Sequence, residues 1–233
     1  MKRDINEIGR SLFESLFRSY IEDGTIEVSD RLVEEIFADF HTLLLKLASD
    51  PGLDNFTIAP TLDHRRTLLE TAAREAAAGN DGTAITLYMT WAEHFVNGLL
   101  VLAFQRRGYE STVYMPLIRE LRLATKASSV WSLLGLPEIS SDHLKLLERG
   151  ANMRNAFVHY KWSSLSIEEA DRNRRQLRSI VEQMEGLVVI LAKIEAQEIW
   201  NGRENELIGY LRNLTESHER EVGSFSEYLN GLT

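Results

Sequence analysis

Apolar residues recur at three- and four-residue steps through most of this chain, and no stretch worth defending alternates at two. Ile5, Ile8, Leu12, Leu16 and Tyr20 make one such run, and Leu32, Ile36, Phe40, Leu43, Leu44 and Leu47 a second. The longest holds Leu177, Ile180, Val181, Met184, Leu187, Val188, Leu191 and Ile194. This is the period of an α-helix with one buried face; a half-buried strand would need a period of two. Punctuation agrees, since 4 Pro and 14 Gly in 233 residues leave room for long helices. The spacing predicts helices over about residues 4–22, from a Ser29 or Asp30 cap to 49, over 61–78, and over 83–107. Further helices are predicted from Pro116 to 134, from a Ser140 or Ser141 cap to 161, and from a Ser166/Glu169 capping box onward. The last should bend near Gly202 before an amphipathic tail to about 229. The expected class is an all-α bundle, with residues 1–50 an N-terminal helical extension packed on the core, 61–200 the main bundle and 201–233 a C-terminal tail.

Other bounds narrow the function classes. There are no cysteines, which excludes disulfides and thiolate zinc sites and suits a reducing compartment. No basic, apolar and small-residue leader opens the chain, and the most apolar stretch, NGLLVLAF at 97–104, is far short of the ~20 residues of a membrane span. A soluble, cytoplasmic protein with no membrane partner is expected. The formal charge of −9 opposes binding of nucleic acid over the whole surface, so a phosphate-bearing ligand would need a local basic patch. Arg172, Arg174, Arg175 and Arg178 are one candidate, and a solvated helix face explains them equally well.

Two helices carry polar residues where a bundle needs apolar ones. The segment 83–107 is apolar around most of its circumference, which marks it as central, yet Glu93, His94 and Asn97 interrupt it. In RGANMRNAFVHYKW, residues 149–162, the residues Asn152, Asn155 and His159 fall with Glu148 on one polar stripe. Arg154 falls instead inside the apolar face of Leu144, Leu147, Ala151 and Val158. Buried Arg needs a partner. It should therefore leave the core through a helix irregularity at Gly150, or meet a ligand or partner chain at an edge. Arg154 and His159 are about 140° apart on a regular helix, so only the reach of the Arg side chain could bring them to one site.

Chance decides how much the pattern is worth. Twenty Arg and 6 His predict roughly 0.5 random occurrences of Arg-x4-His in this chain, and requiring Asn after the Arg lowers that to roughly 0.02. RNAFVH, residues 154–159, resembles the Arg-polar-x-x-x-His signature of the HEPN superfamily, the higher eukaryotes and prokaryotes nucleotide-binding domains. These are all-α bundles, many of them metal-independent ribonucleases of prokaryotic toxin and defence systems. The resemblance covers about residues 61–200.

It implies an endoribonuclease that needs no cofactor or metal, acting on an RNA substrate as a homodimer in which two motif helices pool their residues. A neutralising or regulatory partner protein would fit the same company. On that reading Arg154 stabilises charge on the phosphorane, and His159 performs one of the two proton transfers. Asn155 orients the imidazole or holds the phosphate. Glu93 is the acid of the preceding helix that holds the Arg or the His. Tyr160 and Lys161 are candidate RNA contacts. In the toxin subgroup paired with nucleotidyltransferase antitoxins, Tyr stands two positions after the His; here Lys161 stands there, so control by modification of that Tyr is not expected. The competing reading is a non-catalytic bundle of the same kind that binds a partner protein, a nucleotide or RNA. The four Trp, Trp91, Trp131, Trp162 and Trp200, are expected as core or interface anchors.

Overall fold

The computed structural model describes residues 5–49, 64–159 and 166–222, and every regular element among them is helical. In chain order these are α1 (Ile5–Glu22), α2 (Val33–Ala48), α3 (Arg65–Ala77), α4 (Asp81–Arg106), α5 (Ser111–Glu120), α6 (Leu123–Thr125), a π-turn (Lys126–Val130), α7 (Trp131–Leu133), α8 (Ser141–Val158), α9 (Ile167–Trp200) and α10 (Glu204–Val222). The class is all-α. No helix among them is long and apolar enough to cross a membrane.

Contacts divide the chain into two compact units, Met1–Pro60 with Glu195–Thr233, and Thr61–Ile194. The two chain ends thus share one unit, where the sequence reading separates them into an extension and a tail. In that unit the buried stripe of α1 is Phe13, Phe17 and Ile21, while Leu12 is exposed. The expected stripe through Leu12, Leu16 and Tyr20 is displaced by one residue because the rings fit α2 better. Phe17 stacks on Phe37 at 4.7 Å between centroids, and Phe13 meets Phe40 edge-on at 4.9 Å. The start of α2 differs too. Its N-cap is Leu32, not Ser29 or Asp30, because Glu35 Oε2 accepts the Leu32 N–H at 3.2 Å.

The second unit is built around α4. Ile85, Met89, Ala92, Val96, Leu99 and Ala103 have no exposed surface, and Tyr88, Trp91, Phe95 and Phe104 are buried with them. α3, α5 and α8 pack against α4. The buried face of α9 in this unit is Leu177, Ile180, Val181, Met184, Leu187, Leu191 and Ile194, as the spacing predicts, with Val188 of the expected run only half-buried. Pro116 does not open its helix. It lies inside α5, which ends at Glu120. Trp131 is buried, and its indole N–H donates to the Pro137 carbonyl at 2.8 Å. Trp91 and Trp200 are buried as expected, and Trp162 lies outside the described residues.

The connection between α9 and α10 is a break rather than a bend. Asn201 and Gly202 both take positive φ, 49° and 73°, and Gly202 N–H caps the Ala196 carbonyl at 2.9 Å.

Candidate functional site

α8 is held by contacts that leave little freedom. Ser140 caps it, its hydroxyl accepting the His143 N–H at 3.5 Å. Leu146, Leu147 and Gly150 are buried. A Cβ at Gly150 would stand 2.5 Å from Met89 Sδ. Gly150 is therefore a point of close approach between α8 and α4, and the helix runs through it to Val158 without the irregularity expected there. The end of the helix also differs. His159 is the C-cap, φ −95° and ψ 18°, with its N–H on the Asn155 carbonyl at 3.1 Å, so the helix stops short of the predicted 161.

Arg154 leaves the apolar face by length alone. Its Nη1 donates to Glu93 Oε2 of α4 at 3.1 Å, and Nε and Nη2 both donate to Asn155 Oδ1, at 3.3 and 3.2 Å. The ion pair is half-buried, with 27% of the Arg154 side chain and 39% of the Glu93 side chain exposed. A guanidinium has five N–H groups, and the described contacts use three. The other two, one on each Nη, remain for an acceptor.

Asn155 Oδ1 is taken by Arg154, and no described hydrogen bond joins the Asn155 side chain to the imidazole of His159. His159 is exposed, and no described residue hydrogen-bonds its ring. Phe157 and Val158 beside it are 41% and 50% exposed. Val158, expected on the apolar face, is half-exposed instead. Phe157 seats one ring edge on α4, where a Cβ at Gly82 would come within 2.3 Å of it. The structure therefore brings Arg154, Asn155 and Glu93 together and leaves His159 exposed at the helix end. Tyr160 and Lys161 lie outside the described residues.

Comparison with protein-family models, with curated proteins and with solved structures gives no significant match.

The Arg-rich start of α9 is less available than its sequence suggests. Arg178 donates to Asp81 Oδ1 at 3.0 Å, to the Ala76 carbonyl at 2.8 Å and to Glu182 at 3.0 Å, tying α9 to the turn between α3 and α4. Those carboxylates raise its pKa above the usual guanidinium value. Arg174 lies 3.8 Å from Asp171. Arg178 is thus already engaged, and Arg174 has an acid close by. His41, His64 and His94 are exposed, and no group of potential metal ligands forms among the described residues.

One buried cation beside α4 was missed in sequence. Lys126, the first residue of the π-turn, is 3% exposed, and its ammonium donates to Asn97 Oδ1 of α4 at 2.8 Å. Burial holds its pKa below the usual lysine value, against the opposing pull of Glu93. The polar interruptions of α4 were the available signal. Asn97 is one turn from Glu93, and the two serve two different cations.

Proposed function

We propose that this chain is a metal-independent endoribonuclease of the HEPN type, a toxin or antiphage defence effector that cleaves RNA at a composite site made by two copies. The observation that carries the reading is the Arg154 guanidinium, held on one side by Glu93 and on the other by Asn155, with two N–H groups left over on the motif helix that ends in an exposed His159. Fixed donors that await a charge are what phosphoryl-transfer chemistry asks of a protein. Phe157 and Val158, half-exposed beside His159, give the second copy an apolar surface to cover.

The chemistry follows from the groups. The ribose 2′-oxygen attacks phosphorus and gives its proton to a neutral imidazole, while the P–O5′ bond breaks and the leaving oxygen takes a proton from an imidazolium. One His159 serves each transfer, so one from each copy is needed. The two Arg154 side chains neutralise the phosphorane, each through its remaining N–H groups. Products carry 2′,3′-cyclic phosphate and 5′-hydroxyl ends.

The test is cleavage of tRNA and mRNA in the presence of EDTA, with analysis of the product ends. His159→Ala and Arg154→Ala should each lower the rate by about 10²-fold or more. Unchanged cleavage by His159→Ala sinks the mechanism. A non-catalytic bundle is the second reading, favoured by the pairing of Arg154 with Glu93 and by the net charge of −9; it predicts RNA or protein binding without cleavage by the wild-type chain.

A further inference from the structure

Two arginines near the start of α9 have no acid to hold. Arg172, Arg174, Arg175 and Arg178 fall within seven residues. Arg178 is tied to Asp81 and Glu182, and Arg174 lies 3.8 Å from Asp171. Arg172 and Arg175 are exposed, and no hydrogen bond or ion pair among the described residues engages either. A solvated helix face places opposite charges three and four residues apart, where they attract. Here Arg172 and Arg175, Arg175 and Arg178, and Arg174 and Arg178 stand at those spacings and repel. Helix stability gains nothing from such a cluster, whereas an anion lying across it relieves the repulsion.

Three contacts place this face at the end of the motif helix. Arg149 of α8 meets Gln183 of α9 at 3.2 Å. Further along, Phe157 of α8 lies against Gly82, and Arg178 of α9 donates to Asp81 at 3.0 Å. Asp81 and Gly82 are the first two residues of α4, so Phe157 and Arg178 reach the same end of it. α8 approaches that end as its numbers rise and α9 as its numbers fall, so the two helices run in opposite directions. His159 is two residues past Phe157, about 3 Å along the axis. Arg175 and Arg172 are three and six residues past Arg178, about 5 and 9 Å along theirs. The two unengaged guanidiniums and the imidazole therefore lie at one end of the bundle.

We propose that the exposed face of α9 at Arg172 and Arg175 is an RNA-backbone surface, whose guanidiniums bind phosphates of the substrate strand beside the linkage that Arg154 and His159 act on. The link to cleavage rests on the nuclease reading; the binding of RNA does not. A guanidinium offers five N–H groups in a fork that matches phosphate oxygens, and a phosphate contact carries no base identity. The surface therefore orients the strand without selecting its sequence.

The experiment uses the full chain with Arg172→Gln and Arg175→Gln together. A control chain carries Arg119→Gln and Lys193→Gln, two exposed cations elsewhere in the same unit whose loss changes the net charge equally. Binding is read by fluorescence anisotropy on a mixed-sequence single-stranded RNA with 2′-O-methyl on every ribose, which lacks the attacking hydroxyl and stays intact. Cleavage is read as kcat and KM on tRNA. In the α9 variant Kd should rise about tenfold, and the slope of log Kd against log salt should shrink by about 1.4, the worth of two phosphates on a single strand. KM should rise with it while kcat stays within about twofold, because these contacts hold ground state and transition state alike. The control chain should stay within about twofold of the wild type throughout. Equal loss in the control, or an α9 variant that binds like the wild type, overturns the surface and leaves the nuclease reading intact if the wild type cleaves. A wild type that binds the RNA through these arginines but cleaves nothing overturns the nuclease reading and leaves the surface standing. A wild type that neither binds nor cleaves RNA overturns both.

Discussion

Two glycines show how the same substitution separates into different outcomes one residue at a time. Alanine at Gly150 would put its methyl 2.5 Å from the Sδ of Met89, a side chain with no exposed surface, so the clash must be absorbed by the core. Alanine at Gly82 would meet the Phe157 ring at 2.3 Å, but that residue is 41% exposed and can swing outward. Each change also gains up to about 1 kcal/mol of helix propensity. Gly150→Ala should therefore be destabilising by about 1–2 kcal/mol, and Gly82→Ala should be near neutral in urea unfolding. The second variant has another consequence, since displacing Phe157 disturbs the turn that carries His159; on the proposed function, RNA cleavage should fall more than stability does. Glu93→Gln belongs at this scale too. Its ion pair with Arg154 is half-exposed, which limits its worth to about 0–1 kcal/mol, so urea unfolding should barely register its loss. The proposed function requires cleavage to fall by about tenfold or more in the same variant.

At the scale of elements, the π-turn provides a pH signature. Lys126 has a folded pKa below its ordinary 10.5 because burial disfavours the charged form. Glu93 of α4 is the charged group that acts on it, and Arg154 of α8 is in turn paired to Glu93. Below the folded pKa both states are charged and the folded chain bears the full desolvation cost. As pH climbs through the folded pKa toward 10.5, the folded state sheds the proton while the unfolded state keeps it, so stability rises with pH. Lys126→Met lacks that rise. The urea midpoint of the wild type relative to Lys126→Met should increase as pH is raised toward 10.5, and a gap that stays flat or closes would contradict the depressed pKa. A simpler case is Ser166→Ala at the start of α9, where the hydroxyl accepts the Glu169 N–H at 3.2 Å; thermal or urea unfolding should show a loss of about 1 kcal/mol. The same scale shows what could be read without coordinates. Periodicity locates α2, α4, α8 and α9 and most of the buried faces of α4 and α9, because a 3.6-residue pattern is written in every turn; of the face expected on α8 only Leu147 is buried, with Leu146 and Gly150 in place of Leu144, Ala151 and Val158. It misplaces the stripe of α1, where leucine and phenylalanine stripes lie side by side and only the partner helix chooses between them. It misses the π-turn, since one extra residue in a turn changes no residue type. Within the site, Arg154 was identifiable because a cation on an apolar face must be answered by a partner, whereas Asn155 and Glu93 were named through the resemblance of RNAFVH to the family signature. Lys126 was not identifiable, because in LATKASSV it reads as an ordinary exposed helix position.

For the whole molecule the deciding question is how many copies make one site. A single chain presents one imidazole at the end of the motif helix, His159, and a transesterification needs one group that takes a proton and one that gives it. A chain with a formal charge of −9 also repels RNA at long range, so the cations that meet the phosphate must be concentrated by geometry. Pairing two copies of the α8 end meets both demands, doubling imidazole and guanidinium at one place while covering Phe157 and Val158. Mixing active and inactive chains tests this directly. When wild-type and His159→Ala chains are mixed in equal amounts, about a quarter of the randomly assorted dimers are wild type and about half hold a single intact His159. If the two motifs pool around one linkage and an imidazole is needed from each copy, the mixed dimers should be nearly inactive, and total activity should fall to about half that of the same amount of wild-type chain alone. If each chain instead holds its own complete site, adding His159→Ala chains should leave the activity of the wild-type chains unchanged.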